Sequence, residues 1–266
     1  MINTSQYTSL RQYPLEYFNS MFKEPIIEMT NKIINNDNFS LARFGDGEYT
    51  CMMGGEGHNC DNHPYSSKLG DKLTSSFNYL KKLKNVYFGE WGAQPGSFDT
   101  PQNIAPIQYL HTGLGEYHLD LFYKDHNLNL VNFEILQNNT LFKEKFIFFK
   151  TVKESKRKKI YVGPYNKLKG VEKFLNINSF INIPEYNSFQ KYDTILQLIL
   201  NEIKDNCIIL FSAGMPCECY MHEILIVNNK ITCLDIGSGM DAMFSDFTRE
   251  GQLEKEICRN FYKELL

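Results

Sequence analysis

The chain of 266 residues has almost no net charge, no long apolar run and no paired cysteine framework, and each shortage removes a class of protein. With 28 lysines and arginines against 31 acids, the net charge of -3 supplies no global field for nucleic acid, so no nucleic-acid partner is expected. No stretch approaches the ~20 apolar residues of a membrane-spanning helix. Met1-Ile2-Asn3-Thr4-Ser5 also lacks the basic and then apolar regions of a secretion signal. The seven cysteines, at 51, 60, 207, 217, 219, 233 and 258, are scattered, several of them inside apolar stretches. Read as reduced core thiols, they point to a cytoplasmic protein without a transmembrane segment. No internal repeat or low-complexity tract is present, and the length suits one large domain over residues 1–266.

What the chain does contain is a regular alternation. Residues 1–36 form an opening helical segment in which Ile26, Ile27, Met29, Ile33 and Ile34 recur close to helical spacing. Apolar runs at 39–44, 85–91, 159–162, 180–183, 207–211 and 231–235 read as strands. Helices are expected at 69–83, 167–175, 192–204 and 216–227, with a closing helix from Leu253. Short continuous apolar strands alternating with helices predict an α/β, Rossmann-like fold, a mostly parallel sheet with helices on both faces. The segment 92–108, rich in proline and polar residues, reads as a lid loop. Lys150, Lys153, Lys156, Arg157, Lys158 and Lys159 read as a solvated connector.

The most informative stretch is Phe39-Ser40-Leu41-Ala42-Arg43-Phe44-Gly45-Asp46-Gly47-Glu48, where a strand runs into two glycines interleaved with two acids. If this segment is extended, Asp46 and Glu48 face the same side, and a hard cation such as Mn2+ or Mg2+ between them relieves their repulsion. Gly45 and Gly47 then let an anionic ligand approach. Plain strand-to-turn chemistry is the competing reading. Other glycine-bearing or acidic turns also follow strand ends: Trp91-Gly92, Val162-Gly163-Pro164, Pro184-Glu185-Tyr186-Asn187, Ser212-Ala213-Gly214 and Asp235-Ile236-Gly237-Ser238-Gly239-Met240-Asp241. In open parallel sheets that edge is where ligands bind.

Ser40 to Glu48, followed in order by the turns at Val162, Ile183, Leu210 and Leu234 and by Arg249, resembles the GT-D glycosyltransferases. In that family an Asp-x-Glu pair is associated with the metal and the nucleotide-sugar. The resemblance spans about residues 38–250 and implies a GT-D type fold and a metal-dependent transfer of sugar from a nucleoside diphosphate sugar, UDP-sugars foremost. The acceptor would be a hydroxyl of a glycan or glycoconjugate. It implies Asp46 and Glu48 as metal ligands. Arg43, Gly45, Gly47, Gly163, Pro164, Asn187, Ser212, Gly214, Gly237, Ser238 and Arg249 would form the donor site. Asp241 is the candidate base, with Glu218 and His222 in reserve.

Two alternatives stay open. Leu234-Asp235-Ile236-Gly237-Ser238-Gly239 resembles the first motif of S-adenosylmethionine-dependent methyltransferases, although too little chain follows it for the usual strand order. A nucleotide-sugar binding module without catalysis is the other. His58, Cys60 and His63 have zinc-compatible spacing but lack an evident fourth ligand.

Overall fold

Strand residues in this chain alternate between two cores. In the computed structural model, which describes residues 19–59, 62–90, 128–137 and 141–241, Leu41, Tyr87, Tyr161, Ile208, Leu210 and Leu234 point into one hydrophobic cluster. Their neighbours Ala42, Phe44, Phe88, Ile160, Val162, Ile209, Phe211 and Cys233 point into a second. A sheet buried on both faces must carry helices on both, and its strands can then be apolar throughout.

The strands are β1 (Ser40–Phe44), β2 (Val86–Glu90), β3 (Asn129–Asn132), β4 (Lys159–Gly163), β5 (Ser179–Asn182), β6 (Ile208–Phe211) and β7 (Thr232–Asp235). They form one parallel sheet in the order β3-β2-β1-β7-β6-β4-β5. The helices are α1 (Glu24–Asn35), α2 (Asp46–Met52), α3 (Ser67–Leu80), α4 (Phe142–Glu154), α5 (Tyr165–Leu175), α6 (Tyr192–Glu202) and α7 (Cys217–Val227). A π-helical turn, Asn19–Lys23, leads into α1. Local signals set several ends: Ser66 caps α3 by accepting the Leu69 N–H, and Asn36 and Asn176 close α1 and α5 in left-handed backbone.

Connections that run toward β3 (β1 to β2, β5 to β6, β6 to β7) carry α2, α3, α6 and α7 against the second core. Those that run the other way (β3 to β4, β4 to β5) carry α4 and α5 against the first. A single crossover hand requires this division. The predicted Rossmann-like architecture is therefore present, and no helix among the described residues is long and apolar enough to cross a membrane.

Three elements depart from the sequence expectation. Residues 46–52 are helical, not a turn, and β3 and α4 had no sequence signal strong enough to mark them. The predicted lid at 92–108, Trp91 and the closing helix from Leu253 lie outside the described residues.

The basic connector is also corrected. Arg157 and Lys159 are buried. Lys159 Nζ donates to the carbonyls of Ser155 (2.6 Å) and Arg157 (3.3 Å), and burial lowers its pKa. The Arg157 guanidinium donates to the carbonyls of Asn206 (2.9 Å), Cys207 (3.0 Å) and Asp37 (3.5 Å), to Asn38 Oδ1 (2.6 Å) and to Thr232 Oγ1 (2.8 Å). It clasps the amino-terminal side of β1, β4, β6 and β7 and meets no carboxylate among the described residues. Burial lowers its pKa to about 10. Arg157→Met strips these acceptors of their donor. It is expected to lower the unfolding free energy by about 2–4 kcal/mol in urea titrations with the m-value unchanged.

Candidate functional site

The carboxyl ends of the strands gather the motifs singled out in the sequence. Adjacent strands β4 and β6 send the chain in opposite directions, β4 outward to β5 and β6 inward to β7. Such a switch point opens a crevice beyond the strand ends. Gly163-Pro164 and Ser212-Ala213-Gly214 stand on its two sides, joined by the Ser212 N–H bond to the Val162 carbonyl at 2.8 Å. The β5 end joins them, since Ser188, just after the left-handed Asn187, donates to the Ala213 carbonyl at 3.3 Å. The β7 turn joins too, as the Ser212 hydroxyl donates to the Gly237 carbonyl at 2.7 Å.

At the β1 end the carboxylate pair sits differently from the extended arrangement expected. Gly45 is the N-cap of α2, Asp46 its first residue and Glu48 its third. Two helical steps turn the side chains about 200° around the axis, so the shared-face argument drawn from a strand does not apply. Glu48 folds back to accept the Gly45 N–H at 2.8 Å, half of a capping box, and Asp46 accepts the Gly47 N–H at 3.0 Å. Asp46 is exposed and Glu48 half-buried. The two still sense one another: burial foremost, with added repulsion from Asp46 and Asp235, pushes the Glu48 carboxyl up to about 7.

Arg43 lies behind this pair. Its Nε and Nη2 form a two-pronged bond to Asp235 at 2.8 and 3.1 Å, and the pair is almost wholly buried. The guanidinium also lies 4.6 Å from the centre of the Phe133 ring, and the Arg43 backbone N–H donates to Glu218 Oε1 at 3.1 Å. Burial opposes the arginine's charge, but Asp235 and Glu218 outweigh it and raise its pKa. Glu218 is driven well above the usual carboxylate range by burial, then by Asp235 and Glu48. Arg43, expected in the donor site, is thus a buried ion-pair partner of Asp235. Cys217, Glu218 and Asp235 offer atoms within 4.8 Å of one another, but the guanidinium already holds both Asp235 oxygens.

Several glycines prove to make room for the chain's own side chains. At Gly237, with φ +45°, a Cβ would collide with Arg43 Nη2. This turn is the one that resembles a methyltransferase motif, and arginine fills it. A Cβ on Gly163 would collide with the Tyr161 hydroxyl. Gly45 faces Phe133 and Glu48, Gly47 faces Asn59 and Met215, and Gly214 faces the His63 ring.

The remaining candidates fall as follows. Ser238 is buried and accepts from Gln137 Nε2 at 2.7 Å. Asp241 is 1% exposed and accepts from Lys167 Nζ at 2.8 Å. Lys167 escaped the sequence reading, for a lysine in a helix's first turn has no distinguishing local signal. Glu218 is at the edge but buried. His222 is away from it, packed on Tyr79 with Ser76 3.3 Å from its Nδ1, and burial lowers its pKa. Cys60 and Arg249 lie outside the described residues, and His63 packs on Gly214.

No protein-family profile and no curated protein sequence matches the chain. The architecture defines the fold class, α/β and Rossmann-like with an all-parallel seven-stranded sheet. Two solved structures share it, each at 20% identity over 91% of this chain and 88% of theirs. One is the selenomethionine-substituted structure of domain of unknown function 1792, with a TM-score of 0.57. The other is a structure of that domain described as having a distinct glycosyltransferase fold, with a TM-score of 0.58.

The raised Glu48 carboxyl predicts a pH dependence. Its pKa is about 7 in the fold against an ordinary value of 4.5, so the folded state holds the proton more tightly. Its contribution to stability is fullest below pH 4.5, declines as pH rises, and levels off above about 7. Without added metal, Glu48→Gln is expected to be more stable than wild type at pH 8, with the advantage fading toward pH 5. Thermal unfolding of both proteins across this range measures it.

Proposed function

We propose that the protein is a metal-dependent glycosyltransferase that moves a sugar from a nucleoside diphosphate sugar, UDP-sugars foremost, to a hydroxyl of a glycan or glycoconjugate. The convergence of the β1, β4, β5, β6 and β7 ends on one edge, beside a pair of acids at the head of α2, carries this reading. The neighbours' fold supports it.

Asp46 and Glu48 are the residues that would hold Mn2+ or Mg2+. Their donor set suits a hard cation in kind, because both offer carboxylate oxygens and burial disfavours an unaided charge on Glu48; since α2 sets the two side chains about 200° apart, sharing one ion would require one of them to swing round. A bound ion would offset the negative charge that grows on the departing diphosphate. The chain's own part is positional. The Gly45 N–H fixes Glu48, and Arg43, locked to Asp235 and stacked on Phe133, fixes the end of β1 from which α2 departs. Asp241 acts on Lys167 rather than on the acceptor in this reading, since a base must come within hydrogen-bond reach of the hydroxyl and Asp241 is 1% exposed.

Asp46→Asn/Glu48→Gln is expected to abolish transfer, a loss of at least ~100-fold for removal of a principal charge-stabilising group, while unfolding near the wild-type temperature. The assay is product formation from a panel of UDP-, GDP- and dTDP-sugars with Mn2+, with S-adenosylmethionine as the competing ligand in thermal-shift measurements. Full activity of the double variant in EDTA ends the metal role; stabilisation by S-adenosylmethionine but by no nucleotide-sugar ends the glycosyltransferase reading.

A further inference from the structure

Helix α5 opens at the β4/β6 crevice with an unusual charge arrangement. Pro164 precedes it in extended backbone and gives no side-chain cap, and no acid occupies its first turn. Lys167 does occupy that turn, where the positive end of a helix favours an anion and not a cation. Its compensation comes from 74 positions away, the buried Asp241 on the turn after β7. Among the described residues Asp241 takes one of the ammonium's three hydrogens and no other acceptor meets it, and the lysine side chain remains 23% exposed.

A second feature of the same place points to a ligand. The Tyr161 hydroxyl is wholly buried and has no hydrogen-bond partner among the described residues. It lies against Gly163, two residues before α5 begins, in the space a side chain there would fill. Ser212 is near enough to moderate the rise that burial gives its pKa, but sends its own proton to the Gly237 carbonyl. An unmatched buried hydroxyl is costly, and such groups in native proteins call for an explanation. An ammonium with spare hydrogens, the uncapped amides of a helix and an unmatched phenol together suit a ligand with several acceptor oxygens.

Resting on the transfer reading above, we infer that Lys167 is the cation that takes the diphosphate of the donor, and that Asp241 is a positioning residue that holds the ammonium at the crevice. The carboxylate pair at α2 and this lysine then approach the diphosphate from the β1 side and the β4 side of the same edge.

Isothermal titration on the full chain, with inorganic pyrophosphate and with UDP, GDP and dTDP in the presence of Mn2+, tests this. Wild type is expected to bind pyrophosphate and at least one nucleoside diphosphate. Lys167→Met weakens both by ~10- to 100-fold, the worth of a hydrogen bond to a charged group, and leaves affinity for the unphosphorylated nucleoside unchanged. Lys167→Arg, which keeps the charge, recovers part of the loss. Lys167→Met/Asp241→Asn avoids a stranded buried acid and is expected to bind pyrophosphate no worse than Lys167→Met alone, because Asp241 acts only through Lys167. A further loss in the double variant overturns the positioning role of Asp241. Wild-type affinity for pyrophosphate in the folded double variant overturns the assignment of Lys167 and leaves the transfer reading standing. Failure of wild type to bind any nucleoside diphosphate overturns both.

Discussion

The bond between Arg43 and Asp235 is the constraint on which the working edge depends. It joins the ends of β1 and β7, 192 positions apart in the chain, with a fork geometry that fixes both side chains. The same arginine leans on Phe133 after β3 and gives its backbone N–H to Glu218 at the head of α7. At the Gly237 turn the guanidinium occupies the space that a side chain there would need. A buried pair of this kind is weak evidence for stability, since desolvation opposes the attraction. Its value here is in fixing position: β1 and β7 share only the registers Ser40 with Cys233 and Leu41 with Leu234, so side chains must hold together what the backbone ladder does not.

The division of labour between the two sheet edges follows from the same logic. At the amino-terminal edge, Arg157 binds carbonyls and neutral side chains only. At the carboxyl edge, the Asp235 charge helps to shift the protonation of Arg43, Glu48 and Glu218. Strained titrations of this sort concentrate where proteins bind and react. The motif at the end of β1 that resembles the GT-D family therefore falls among the residues that the electrostatics mark.

Much of this was legible in the chain. The strands β1, β4, β6 and β7 are short runs with apolar residues on both faces, and the helices between them have apolar stripes, so a doubly covered parallel sheet followed directly. The strand-end turns announced the edge. What stayed hidden had physical reasons. Gly45-Asp46-Gly47-Glu48 looks like a turn because glycine weakens helices, yet tertiary packing of Tyr49 and Cys51 against α3 makes Asp46–Met52 helical. β3 is four residues with an asparagine at each end, an edge strand with little apolar pattern. Arg157 reads as one more charge in a basic run, because nothing local reveals the carbonyls that converge on it. Lys167 gains its meaning only from Asp241, a partner that no periodicity could supply.

The Arg157 clasp has one more implication. Its donor stays cationic at any physiological acidity, and its acceptors have no proton to gain or lose there. Glu48, at the opposite end of β1, changes charge close to neutrality. A change of pH through neutrality would therefore alter the charge at the carboxyl rim of the sheet while its amino-terminal base kept its grip.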